Sequence, residues 1–170
     1  MHNYRQQAGF TLIEVLVAAL ILAVGLLGVA GLQTQGLRNN VSAMYRTQAV
    51  QFTNDIADRI RSNPTGSYAI AFTTAPSSAT NCASSTANCS VANMTGYDLT
   101  QWKCMLGNFT TDSDCTTLAA SDNSTNLSLG LPSGDGSIAL NSSVYTVTVR
   151  WAGDKSSTPV LTSFAMDFEI

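Results

Sequence analysis

The chain has 170 residues, of which only 11% are charged although 45% are hydrophobic. An average soluble protein carries about 25% charged residues; here 39 Ser and Thr residues fill the gap. A net charge of −3, no Lys/Arg run and a single histidine, His2, exclude nucleic-acid binding by overall basicity, His-based triads and multi-His metal sites.

The first nine residues, Met1–Gly9, are polar and carry one charged side chain, Arg5. Val15 to Leu32 follows as a run without a polar side chain, and the wider segment Phe10–Leu37 holds one charge, Glu14. As a helix, Phe10–Leu32 would be roughly 35 Å long at 1.5 Å per residue, enough for a ~30 Å hydrocarbon core. A secretory signal has a shorter apolar core and a small-x-small cleavage site behind it, and no convincing site of that kind precedes Gln33. Glu14 is the residue that needs a reason. A carboxylate in a membrane helix costs about 2.5–3.5 kcal/mol at the bilayer centre, less near the edge, and no basic side chain lies in the run to pair with it. A free α-amino group at a nearby chain start would serve.

The sequence Gly9-Phe10-Thr11-Leu12-Ile13-Glu14, heading a long apolar helix after a short polar leader, strongly resembles a type IV prepilin. The resemblance implies that prepilin peptidase cuts Gly9–Phe10 on the cytoplasmic side and methylates the Phe10 amine. It also implies that Glu14, the fifth mature residue, pairs with its own amine or a neighbour's and so sets the stagger of subunits in a filament. Further expected partners are other minor and major pilins, the inner-membrane pilus assembly machinery and, before assembly, the inner membrane itself. Location in that membrane as a single pass with the head in the periplasm, and later on the pilus or cell surface, follows from the motif and the cysteines. Arg5 before the run and Arg38 and Arg46 after it give no orientation.

Helical patterning continues beyond the apolar run. Val41, Tyr45, Ala49, Phe52, Ile56 and Ile60 recur at three- and four-residue spacings, with Asp55 and Arg59 as an i,i+4 pair on another face. Asn63-Pro64-Thr65-Gly66 stops the helix near Ser62. A helix from Phe10 to Ser62 is roughly 80 Å long, so a protruding first half and a second half packed on a head are expected. Gly25, Gly28 and Gly31 are read either as close-packing positions or as a segment able to lose helicity; the proline common there in major pilins is absent.

The head opens with Ser67–Asn93, Ser/Thr/Ala-rich and read as loop with a short strand at Tyr68–Phe72. Trp102, Met105, Leu106 and Phe109 predict a short amphipathic helix. Gly134-Asp135-Gly136 reads as a turn, with no lysine to make it a phosphate loop. Tyr145, Val147, Val149 and Trp151 alternate with polar residues, as do Val160, Phe164, Met166, Phe168 and Ile170 with Thr162 in register. These are two half-buried strands joined by a hairpin loop at Gly153–Pro159. The expected fold class is α+β: a long N-terminal helix packed through its second half against a small antiparallel sheet, as in type IV pilins. The expected divisions are a leader at 1–9, the helix at 10–62 with 10–32 as its membrane and assembly segment, and an extracytoplasmic head at 63–170.

Trp102, Leu131-Pro132-Ser133-Gly134-Asp135-Gly136-Ser137-Ile138 and Tyr145-Thr146-Val147-Thr148-Val149-Arg150-Trp151 together resemble the PilV group of minor type IV pilins. The function so implied is that of a minor pilin in pilus assembly or modification, with a type II secretion pseudopilin and a membrane-anchored adhesin or binding module as alternatives.

Cys82, Cys89, Cys104 and Cys115 all lie in the head, an even set that suggests two disulfides in an oxidising compartment. Three pairings are possible; the local one, Cys82–Cys89 with Cys104–Cys115, closes short loops and is preferred. The head has no C-x-x-C and no histidine, which argues against zinc. Asp112, Asp114, Asp122 and Asn123 could approach calcium but lack the EF-hand pattern, and are read as a solvated acidic loop. No cofactor and no enzymatic activity are expected.

Overall fold

The computed structural model describes residues 9–77, 80–83, 88–121, 130–153 and 160–170. By contacts the chain divides into two compact units, Met1–Ser42 and Ala43–Ile170. Helix α1, Leu12–Ser62, begins in the first unit and ends in the second. The fold is α+β and type IV pilin-like, a long N-terminal helix with a small three-stranded antiparallel sheet.

In the first unit the apolar run is helical, and every side chain from Phe10 to Leu37 is exposed. By length and composition α1 can cross a membrane. In the second unit the expected stripe turns inward. Ala49, Ile56 and Ile60 are fully buried and Tyr45 and Phe52 half-buried, whereas Val41, in the first unit, is exposed. Asp55 and Arg59 pair at 2.9 Å. α1 stops at Ser62, two residues before Pro64, whose ring disfavours helix in the residue ahead of it. Asn63 then clamps the exit: its amide donates to Tyr68 Oη (3.2 Å), the Val91 carbonyl (3.2 Å) and Thr95 Oγ1 (3.1 Å).

The stretch at Tyr68–Phe72 is not a full strand. Only Ile70 bridges to Ile138. The Ala71 carbonyl accepts from Lys103 Nζ at 3.1 Å, the Thr73 N–H donates to the Asp135 carboxylate at 2.7 Å, and Thr73 turns left-handed at φ 59°. Side chains thus take the backbone groups that would extend a ladder. Helix α2, Val91–Leu106, starts inside the stretch expected to be loop, because Ser90 caps it by accepting the Asn93 N–H at 3.3 Å. Its end is Gly107 at φ 116°, a conformation that favours glycine. Phe109 therefore falls outside the helix, against the Lys103 ammonium. Asp112 and Asp114 are not a free acidic loop: they open helix α3, Ser113–Ser121, where Asp112 Oδ1 accepts the Asp114 N–H at 2.9 Å. Asp122 and Asn123 lie outside the described residues. The Cys104–Cys115 disulfide joins α2 to α3, and Cys82–Cys89 closes a second short loop.

Strands β1 (Asp135–Asn141), β2 (Val144–Ala152) and β3 (Leu161–Glu169) pair antiparallel in that order. The expected turn residues Asp135 and Gly136 belong to β1 instead. Gly136 packs beneath the Trp102 ring, in space that a Cβ would fill. β2 buries Tyr145, Val147, Val149 and Trp151. On β3, Phe168 is buried and Phe164 and Met166 half-buried, while Val160 and Ile170 lie beyond its ends and are exposed. Of the expected hairpin loop, only Gly153 is described; its N–H reaches the Val160 carbonyl at 3.0 Å. These inward residues, with Trp102, Leu106 and Tyr68, form one core on the α1 stripe.

Two polar clusters lie in or beside this core. Lys103 is fully buried and donates to Asp135 Oδ1 (2.7 Å) and to the Gly136 carbonyl (2.7 Å). Asp135, 2% exposed, also accepts from the Gly136 N–H and Arg150. Burial alone would raise its pKa, but Lys103 and the Thr73 and Gly136 amides hold the carboxyl below its ordinary value. In the second cluster Asp98 accepts from Arg59 (3.1 Å) and Tyr68 (2.7 Å). Burial, then that bond, push the Tyr68 phenol up to about 12.

Candidate processing and assembly site

The residues singled out in sequence lie at the start of α1. Gly9, Phe10 and Thr11 are non-helical and the helix begins at Leu12. Thr11 caps it. Its Oγ1 accepts the Glu14 N–H at 3.3 Å, and its carbonyl accepts the amides of Glu14 (3.1 Å) and Val15 (3.4 Å). Thr11-Leu12-Ile13-Glu14 has the residue types of a capping box, Thr at the cap and Glu three residues on. That signal was available in the sequence and marks Thr11 as the residue that fixes where the helix starts.

Gly9 and Phe10 are exposed, Phe10 at 83%. A Cβ at Gly9 would meet nothing within 4 Å, so the chain's own fold does not require glycine there. Glu14 is exposed in the first turn, and its carboxylate has no hydrogen-bond or ion-pair partner among the described residues. A carboxylate there is favoured by the partial positive charge of the helix N-terminus. Leader residues 1–8, with His2 and Arg5, lie outside the described residues. Gly25, Gly28 and Gly31 are helical, and a Cβ at each would enter open space.

The four cysteines belong to the second unit, and none is free. Among the described residues no cluster of His, Cys, Asp or Glu could hold a metal.

Two family models match the chain. The prokaryotic N-terminal methylation motif covers residues 4–30, which includes Gly9, Phe10 and Glu14. The type IV pilin Tt1218 family covers residues 31–100, the rest of α1 and the entry to the head. Over residues 4–100 the chain is similar to type IV prepilins. Type IV pilins are structural proteins rather than enzymes. No curated protein and no solved structure matches it significantly.

Proposed function

We propose that the chain is a minor type IV pilin of the PilV kind, matured by prepilin peptidase and built into a pilus through Glu14. The observation that carries this reading is the free carboxylate of Glu14 one helical turn from the Gly9–Phe10 bond. Hydrolysis of that bond creates an amine at Phe10, and methylation leaves it cationic. An amine at a helix N-terminus is disfavoured by the helix dipole and gains from a nearby carboxylate. Pairing also relieves the cost of an isolated charge in an apolar setting, which is larger the less water is present. In a packed array the carboxylate reaches either its own amine or that of an adjacent subunit, and the second choice fixes an axial step.

The glycine at position 9 serves the peptidase, since the chain leaves room for a side chain there. The leader is residues 1–9, the N-terminal assembly segment 10–62, helical from Leu12, and the extracytoplasmic head 63–170. The chain first sits in the inner membrane as a single pass with its head in the periplasm, and then moves to the pilus. The two disulfides in the head support an oxidising compartment. The PilV reading is supported by the three segments that carry the likeness, which form one core: Trp102 covers Gly136, and the Tyr145–Trp151 strand lies beside both.

The test pairs two variants with a deletion. Gly9→Ala is expected to accumulate the longer, unmethylated form. Glu14→Gln is expected to be processed normally and to reach sheared pili in strongly reduced amount. Deletion is expected to change surface piliation. Unchanged piliation with lost protein secretion would move the chain to a secretion machine.

A further inference from the structure

Charges are scarce in this chain, and its own fold uses most of them. Among the described residues, Arg59, Arg61, Lys103 and Arg150 each pair with a carboxylate. Asp112 and Asp114 open α3. Beyond the apolar segment, four charges are left over: Arg38 and Arg46 on α1, and Asp167 and Glu169 on β3. All four are exposed and none has a hydrogen bond or ion pair among the described residues.

Within the second unit the leftover charges of opposite sign lie far apart. Phe168, between the two acids in sequence, sits 4.8 Å from the Arg61 guanidinium. Arg46 lies fifteen residues before Arg61, about 22 Å along the helix. The acids are thus at the C-terminal end of the α1 segment and Arg46 is near its start, too far apart to pair within one head. Asp167 and Glu169 point to the outer face of the sheet, opposite Thr146 and Val144. Next to the acids that face is small and uncharged, with Ala139, Thr148 and Ala165; farther along it Leu161 is exposed, and Arg150 is bound to Asp135 and stacked on Phe72. The short side chains beside the two acids let another chain come close to them.

We propose that Asp167 and Glu169 of one copy receive Arg46 of a second copy, displaced by about 20 Å along the α1 axis. The two surfaces differ, so the contact is head-to-tail and leaves a free acidic patch and a free arginine at either end of each pair. A contact of this type propagates into a line instead of closing as a dimer. The inference rests on the reading of the chain as an assembly subunit, and its test is independent of pilus counts.

The test uses the full-length chain in detergent micelles. The native cysteines are consumed in bridges, so added ones can be addressed with a short bifunctional maleimide. Chains with Thr47→Cys, beside Arg46, are mixed with chains carrying Ala165→Cys, beside Asp167. The expected product is the mixed 47–165 cross-link. Arg46→Glu in the first population should lower its yield about threefold at low salt, as expected for one exposed charge pair, and high salt should lower it similarly. Asp167→Lys with Glu169→Lys in the second population should do the same alone, and combining it with Arg46→Glu should restore the yield. Cross-links confined to 47–47 or 165–165, no mixed product, or a yield indifferent to charge reversal would each overturn the proposal. Normal piliation with no mixed cross-link would reject this contact and leave the assembly role standing.

Discussion

The indole of Trp102 donates to the main-chain carbonyl of Phe52 at 3.0 Å, so α2 is bonded to the backbone of α1 and not only packed on its side chains. The ring is fully buried and sits over Gly136 of β1. One residue therefore touches helix, helix and sheet. Trp102→Phe keeps the apolar contact but loses the donor and leaves a void, which should cost about 1–2 kcal/mol. Trp102→Ala should cost about 3–5 kcal/mol. Denaturant unfolding of the head, followed by the fluorescence of Trp151, checks both.

Lys103 and Asp135 call for a different experiment. Lys103→Met leaves the Asp135 carboxylate buried with only Arg150 as a charged partner, and about 3–5 kcal/mol should be lost. The pH dependence follows from the lowered Asp135 pKa. A depressed folded-state value means stability that is present above the unfolded value of 3.8 and is lost as pH falls below it. The unfolding midpoint should change little on this account from pH 7 to 5 and drop below about pH 4. Asp135→Asn should lower the plateau and flatten that drop.

Tyr68 predicts the opposite limb. Its phenol is raised from 10.0 to about 12, so its stabilising effect is complete below pH 10 and disappears as pH climbs through 12. Tyr68→Phe should be less stable at neutral pH and lose less between pH 10 and 12. Absorbance of tyrosinate at alkaline pH should show a late-titrating component that the variant lacks.

The two disulfides should separate under graded reductant. Cys104 and Cys115 are fully buried, whereas Cys82 and Cys89 are half-buried. Thiol exchange needs access to sulfur, so Cys82–Cys89 should be reduced first, with the head still folded. Mass spectrometry after alkylation would show two added groups before four. Simultaneous appearance of all four would contradict the order. Loss of the Cys104–Cys115 bridge should cost about 2–4 kcal/mol.

Much of this molecule is written in periodicity. The three- and four-residue spacing of Ala49, Phe52, Ile56 and Ile60, and the alternation of Tyr145, Val147, Val149 and Trp151, each point to a single buried face, and the core uses those faces. Motif residues Gly9, Phe10 and Glu14 were equally visible, because six contiguous positions carry them. What stayed hidden depends on partners far away in sequence. Lys103 carries no local signal of burial, because its carboxylate partner Asp135 comes from β1, 32 positions away. Asp135 and Gly136 look like a turn, and become a strand because Trp102 covers a residue without a side chain. The strand at Tyr68–Phe72 fails for the same reason, since the groups that would pair it belong to Lys103 and Asp135. The start of α2 at Ser90 and of α3 at Asp112 were local signals, caps by Ser and Asp, that the polar composition around them obscured.

The cap at Thr11 bears on the proposed maturation. Everything that begins α1 belongs to Thr11 and residues after it, and only Phe10 stands between Thr11 and the bond to be cut. Hydrolysis at Gly9–Phe10 would therefore be conformationally silent: the same first turn, held by the same hydroxyl, exists on both sides of the reaction. What the enzyme would change is the electrostatic identity of the chain end. A neutral peptide link becomes a cation one turn from Glu14, and the substrate turns into a subunit without refolding.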